Sequence, residues 1–147
     1  MACLEQNLIS YIDIRVFSHA TEDENKVMEA AKKILPSEFA EEIAFKKHST
    51  RGHHGNPITF FETRIKDKKI IKKIVEKFSS NLNTLDKENL RRSIATYTEK
   101  GSLYVRFDKQ AALNNEFRLA QADPIHVRIR FRKQDITETC RELGIIA

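Results

Sequence analysis

Residues 124–133, PIHVRIRFRK, alternate between apolar and polar side chains. Ile125, Val127, Ile129 and Phe131 share one side of an extended chain, and His126, Arg128, Arg130 and Arg132 share the other. The same period of two predicts a first strand over 8–20, with Ile12, Ile14 and Val16 inward and Tyr11, Asp13, Arg15 and Phe17 outward. It recurs in KGSLYVRFD (100–108), where Leu103, Val105 and Phe107 alternate with Tyr104 and Arg106. EIAFKKHS (42–49) and PITFFETRI (57–65) read as two further strands joined by the hairpin loop TRGHHGN.

Between the strands the period lengthens to that of a helix. Thr21, with Glu24 at the capping-box position, predicts a helix running to about Leu35, with Val27, Ala30, Ala31 and Ile34 on one face and Pro36 as its stop. A short helical turn is expected around Glu38–Glu41. Over 66–81, Ile70, Ile71, Ile74, Val75 and Phe78 form an apolar face, while Lys66, Lys69, Lys72, Lys73 and Lys77 point away from it. Leu90, Ile94 and Tyr97 mark a helix over 85–96, and Asp108 is placed to cap a short one at 109–114. The last helix follows Asp135, with Ile136, Cys140 and Leu143 on one face, Glu138 in a capping box and Gly144 as stop signal.

The predicted order is β-α-β-β-α-α-β-α-β-α. Hairpins mixed with helices imply an α+β fold: a mainly antiparallel sheet of about five strands with helices on one face and the other face open. The 147 residues suit one domain, 1–147, able to bury a core without disulfides or metal staples. Repeats, low-complexity tracts and linkers are absent from the pattern. No apolar run approaches the roughly 18 residues a membrane span needs. The opening MACLEQNLIS lacks the basic flank and apolar stretch of a signal peptide. Cys3 and Cys140 are too few for a disulfide framework, so free thiols and a cytoplasmic setting are expected.

Charge then changes the picture. The net value is +5, but residues 1–45 carry −5, residues 46–81 carry +7 and the remainder +3. Such asymmetry marks one basic surface, for which nucleic acid is the commonest partner; a solvated lysine surface would give the same count. The outward positions of the strands decide between them. If the alternations hold, the open face collects Tyr11, Arg15, Tyr104, Arg106, His126, Arg128, Arg130 and Arg132. Guanidinium groups pair with phosphates and stack on bases, and aromatic rings offer stacking surface, so this is the composition of an RNA platform. Arg51 and His54 of the hairpin loop, and Lys69, Lys72 and Lys73 of the lysine helix, are expected as secondary backbone contacts.

The loop HSTRGHHGNPI (48–58) holds His48, His53 and His54, yet no cysteine lies near and Glu42 and Glu62 show no recognised ligand spacing. No metal is expected. Gly52, Gly55 and Pro57 describe a shaped turn, and a GK[ST] ending is missing, which excludes a Walker loop. Asp108–Lys109 would serve as an acid–base pair, but an N-cap explains Asp108 more simply. Asp123 before Pro124 reads as a turn. No nucleophile signature surrounds either cysteine, so no catalytic residue and no cofactor are expected.

GHHGNPI (52–58), LYVRFDKQAAL (103–113) and DPIHVRIRFRK (123–133) together resemble a family of small archaeal proteins described as predicted RNA-binding or exosome-associated subunits. The likeness spans essentially the whole chain. It implies a single α+β domain like that of the 5S-RNA-binding ribosomal protein, without enzymatic activity, in RNA processing or degradation. Where the pattern leads one to expect a glycine, this chain has Asn114–Asn115. The alternative function is a protein-interaction adaptor whose basic face docks an acidic surface of a larger assembly. A homodimer would arise if the last strand offered its edge to a second copy.

Overall fold

The computed structural model describes residues 8–52, 54–92, 94, 98–99, 101–120, 122–132 and 136–146. The expectations at Cys3, His53, Tyr97 and Asp135 lie outside them. The elements are β1 (Ile9–Ser18), α1 (Glu24–Lys33), β2 (Lys46–Arg51), β3 (Pro57–Ile65), α2 (Lys68–Asn81), α3 (Thr84–Arg92), β4 (Thr98–Glu99), β5 (Ser102–Phe107), α4 (Lys109–Leu113), β6 (Ile125–Phe131) and α5 (Ile136–Glu142). The strands form one six-stranded sheet in the order β2-β3-β1-β6-β5-β4, and every described pairing is antiparallel. Five of these strands are those the alternation predicts; β4 adds two residues at one edge. No helix among the described residues is long and apolar enough to cross a membrane.

The core lies between the sheet and its helices. Ile12, Ile14 and Val16 of β1, Val105 and Phe107 of β5 and Val127 and Ile129 of β6 are buried, as their parity requires. Val27, Ala30 and Ala31 of α1 and Ile71, Ile74, Val75 and Phe78 of α2 close over them. Between Ile9 and Tyr11 the pairing with β6 shifts by one residue at a bulge. That shift changes the phase of the strand, so both Ile9 and Ile12 reach the core.

Several local expectations give way to tertiary chemistry. The α1 N-cap is Asp23 and not Thr21: its carboxylate accepts from Asn25 N at 2.9 Å, while residues 19–22 are held in a turn by Glu22 N donating to His19 O. A charged acceptor two residues downstream competes better for the exposed amides of the first turn. Helix α2 starts two residues later than the periodicity alone suggests, because Asp67 accepts from Lys69 N and Ile70 N. Strand β2 is displaced into the hairpin, leaving Ile43 buried in the preceding turn and a tight loop in which Gly52 N donates to Asn56 O. Asn115 takes the left-handed conformation (φ 61°) expected of a glycine, which asparagine tolerates better than other side chains.

Strand β6 lies between β1 and β5, so the last strand has no edge to offer a second copy. The edges are β2 and β4.

Cys140 sits fully buried on the inner face of α5, and burial pushes its thiol up to about 12. In a Cys3→Ser variant, the native protein should therefore resist alkylation at mildly alkaline pH and react at once when denatured. Rapid labelling of the native protein would mean that α5 does not dock where Gly144 ends it.

Candidate nucleic-acid interface

Strand register arranges the outward side chains into rows. Lys46, Glu62, Arg15, His126 and Arg106 lie across one row; Arg64, Asp13, Arg128 and Tyr104 across the next; Tyr11, Arg130 and Ser102 across a third. On the other side of the first row, His48, Phe60 and Phe17 form a fourth. The helices occupy the opposite face of the sheet, so these rows look outward.

Arg128 is the centre of the face. Its Nε donates to Ser102 Oγ at 3.1 Å, and its guanidinium lies 5.8 Å from the ring centroids of both Tyr11 and Tyr104. Cation–π attraction of this kind orients a guanidinium while leaving its remaining N–H groups for another acceptor. Arg130 lies one row away, against the β4–β5 turn. Gly101 has φ 86°, and a Cβ there would stand 3.1 Å from Arg130 Nη1. A side chain at this turn would both strain the backbone and displace the guanidinium.

The face is less cationic than the arginine row alone suggests. Arg64 forms a two-pronged pair with Asp13 at 2.7 and 3.0 Å, while its guanidinium lies 4.0 Å over Tyr11. Its pKa is raised, chiefly by the hydrogen bond to Asp13. Arg15 pairs with Glu62 at 3.0 Å and sits over the Phe60 ring; His48 Nε2 lies 3.0 Å from the same carboxylate. Exposed pairs of this kind contribute little stability, on the order of 1 kcal/mol or less. They set side-chain orientation and cancel charge over β1 and β3. By contrast, no carboxylate pairs with Arg106 or Arg128 among the described residues.

Tyr11, Tyr104, Arg106, Arg128 and Arg130 thus converge as the alternation predicts. Arg132 is exposed just past β6, its backbone N donating to Leu8 O. Arg51 and His54 lie at the far edge, at the end of β2 and in its turn, and Arg51 has the parity of the helix side. Lys69, Lys72 and Lys73 point away from the core on α2, behind the sheet and remote from the arginine face. Lys77 leaves that lysine surface: its Nζ donates to Lys33 O at 3.0 Å and Leu35 O at 2.5 Å, capping the end of α1, and burial lowers its pKa. Asp13, Arg64 and Phe60 join the site unpredicted, and His48 and Glu62, weighed only as metal ligands, belong to it too; the outward parity of β1, β2 and β3 was the signal for all five.

At the end of the face, Lys109 is buried and its Nζ donates to Phe17 O at 2.6 Å, Asp123 at 2.9 Å and Glu22 at 3.2 Å. Asp108 caps α4 through Gln110 N and does not touch its neighbour's ammonium group. His19, Glu22 and Asp123 bring three possible ligand atoms within 4.8 Å of one another. The Lys109 ammonium already rests against both carboxylates, so a side-chain cation balances them. Asp123 turns the chain with φ 47° before β6 begins.

His126 is half-buried between Arg15 and Arg106, and its pKa is lowered from 6.5, first by burial and then by Arg106 and Arg15. Above that value both folded and unfolded states hold it neutral. As pH falls below it the unfolded chain takes up the proton first, so stability falls until the folded imidazole also protonates. From about pH 7 to about pH 5, the urea midpoint of the wild type should drop more than that of His126→Gln. Equal drops would mean that His126 does not carry the effect.

A hollow of about 1060 Å³ runs over this face, bounded among others by Arg15, Phe17, Tyr104, His126 and Arg128. The chain is thus an α+β protein whose antiparallel sheet carries arginine and tyrosine on its uncovered side. Residues 11–131 match the model of a family described as RNA binding, and the chain belongs to that family. It is 35% identical over 139 residues to an RNA-binding protein of Pyrococcus abyssi, covering 89% of this chain and 90% of that one. A crystal structure of an Archaeoglobus fulgidus protein superposes with a TM-score of 0.80 at 27% identity, covering 92% of this chain and 99% of the other. A DUF54 protein of Methanothermobacter thermautotrophicus gives 0.75 at 26% identity, covering 92% and 98%.

Proposed function

We propose that this chain is a non-enzymatic, single-domain RNA-binding protein that holds RNA on the open face of its sheet. The observation that carries the reading is Arg128, aimed by Tyr11, Tyr104 and Ser102 and flanked by Arg106 and Arg130. Arg128, Arg130 and Arg106 contact phosphates or stack on bases, Arg132 extends the row, and Tyr11 and Tyr104 stack. His54 adds a backbone contact where a strand leaves the face at the hairpin, and Arg51, of helix-side parity, adds its charge at the same edge. Lys69, Lys72 and Lys73 act through their field, since a strand lying on the sheet does not reach behind it. Family membership and the name of the Pyrococcus abyssi relative support RNA as the ligand. The resemblance of the three motifs to exosome-associated subunits supports a cytoplasmic place in RNA processing or degradation, beside other proteins.

A salt titration tests this. Binding to short single-stranded RNA should weaken linearly in log–log form, with a slope of roughly −0.7 per phosphate neutralised. Absence of measurable affinity for any RNA, together with capture of an acidic protein partner, would replace this reading with that of an adaptor.

A further inference from the structure

The open face is divided. Over β5 and β6 it carries Arg106 and Arg128, which no carboxylate balances among the described residues. Over β1, β2 and β3 the cations Arg15 and Arg64 are paired with Glu62 and Asp13, Lys46 stands at the β2 edge, and between them lies ring surface. His48 stacks on Phe60 at 4.7 Å with the planes 16° apart; Phe60 meets Phe17 at 5.4 Å, and Phe17 meets His126 at 6.0 Å. Four rings therefore form a continuous strip across four adjacent strands, each ring only partly covered. In the core phenylalanine rings are buried; Phe78 and Phe107 are fully so. Leaving a run of rings half-exposed beside guanidinium groups already paired with carboxylates forgoes the stabilisation of burial and suits a flat, apolar-faced ligand.

Resting on the RNA-binding reading, we propose that the face is specific for single-stranded RNA, with phosphates along the β5–β6 half and bases packed on the Phe17–Phe60–His48 strip. The charge pattern fits one strand laid with its backbone on one side. A phosphate over β1 or β3 would meet Asp13 and Glu62, whereas a base edge there finds carboxylate acceptors and paired guanidinium planes. A-form duplex has its bases stacked inside and presents mainly phosphates and hydroxyl groups, so the ring strip has nothing to hold.

The test compares a short oligoadenylate with a blunt RNA duplex of equal length, bound to the wild type, Phe60→Leu and Arg106→Ala. Leucine keeps apolar bulk on the strand while removing the ring, and thermal melting confirms that each variant is folded. Phe60→Leu should weaken oligoadenylate binding about 5- to 150-fold, as loss of a base–aromatic stack does, with the salt slope unchanged and duplex binding unaltered. Arg106→Ala should instead lower the salt slope on the oligoadenylate by about 0.7. If Phe60→Leu binds the oligoadenylate as well as wild type, or weakens duplex equally, the division of the face is wrong although RNA binding stands. If the wild type binds neither probe, the RNA-binding reading itself falls.

Discussion

Phe107→Ala should lower the free energy of unfolding by about 3–5 kcal/mol, the range for deleting a buried phenylalanine ring. Phe107 is fully buried at the end of β5, 5.0 Å from the Phe78 ring and 5.4 Å from the Phe117 ring in edge-on geometries. These three rings join the sheet to α2 and to the segment after α4. Removing one leaves a cavity that two aromatic neighbours, themselves close-packed, cannot collapse to fill. The variant should show an earlier urea midpoint with little change in slope. Arg106→Ala, one residue away on the opposite face, should change stability by no more than about 0.5 kcal/mol. If the two substitutions destabilise alike, the β5 alternation does not separate core from open face.

Arg128→Ala should weaken binding to single-stranded RNA by about 1–3 kcal/mol and lower the salt slope by about 0.7, one phosphate's worth. The magnitude rests on the position: the guanidinium is held between two tyrosines and by Ser102, so little conformational freedom is lost when a phosphate or base arrives. Arg128→Lys should recover part of the affinity, because a lysine keeps the charge but loses the planar fork. Full affinity in the alanine variant, with unchanged slope, would move the binding surface away from the centre of the sheet. The neighbouring core substitution Ile129→Ala should do the reverse, losing stability while the folded fraction binds normally.

The faces of the strands were legible because their information is local. A period of two assigns each side chain of β5 and β6, and of β1 beyond its bulge, to one side before any partner is known, and burial of Ile12, Val105 and Ile129 opposite Tyr11, Tyr104 and Arg128 agrees with it. The same holds for Asp108 as a cap, Asp123 as a turn and Gly144 as a stop, since each acts on backbone within a few residues. From the sequence alone, then, come an α+β protein, the inward positions of three strands and the apolar faces of its helices, and the identity of its arginine–tyrosine face.

What only the tertiary structure decided is which of those residues meet. Strand order placed β6 in the interior and closed its edge. Register set Glu62 opposite Arg15 and Arg64 opposite Asp13, cancelling charge that the sequence count left standing. Packing of α2 sent Lys69, Lys72 and Lys73 behind the sheet and drew Lys77 onto the end of α1, while the approach of α4 to β1 buried Lys109 against carboxylates 14 and 87 residues away. The physical reason is the same in each case. Alternation and capping depend on neighbours along the chain, whereas the balance of a charge depends on whichever group the fold brings within a few ångströms.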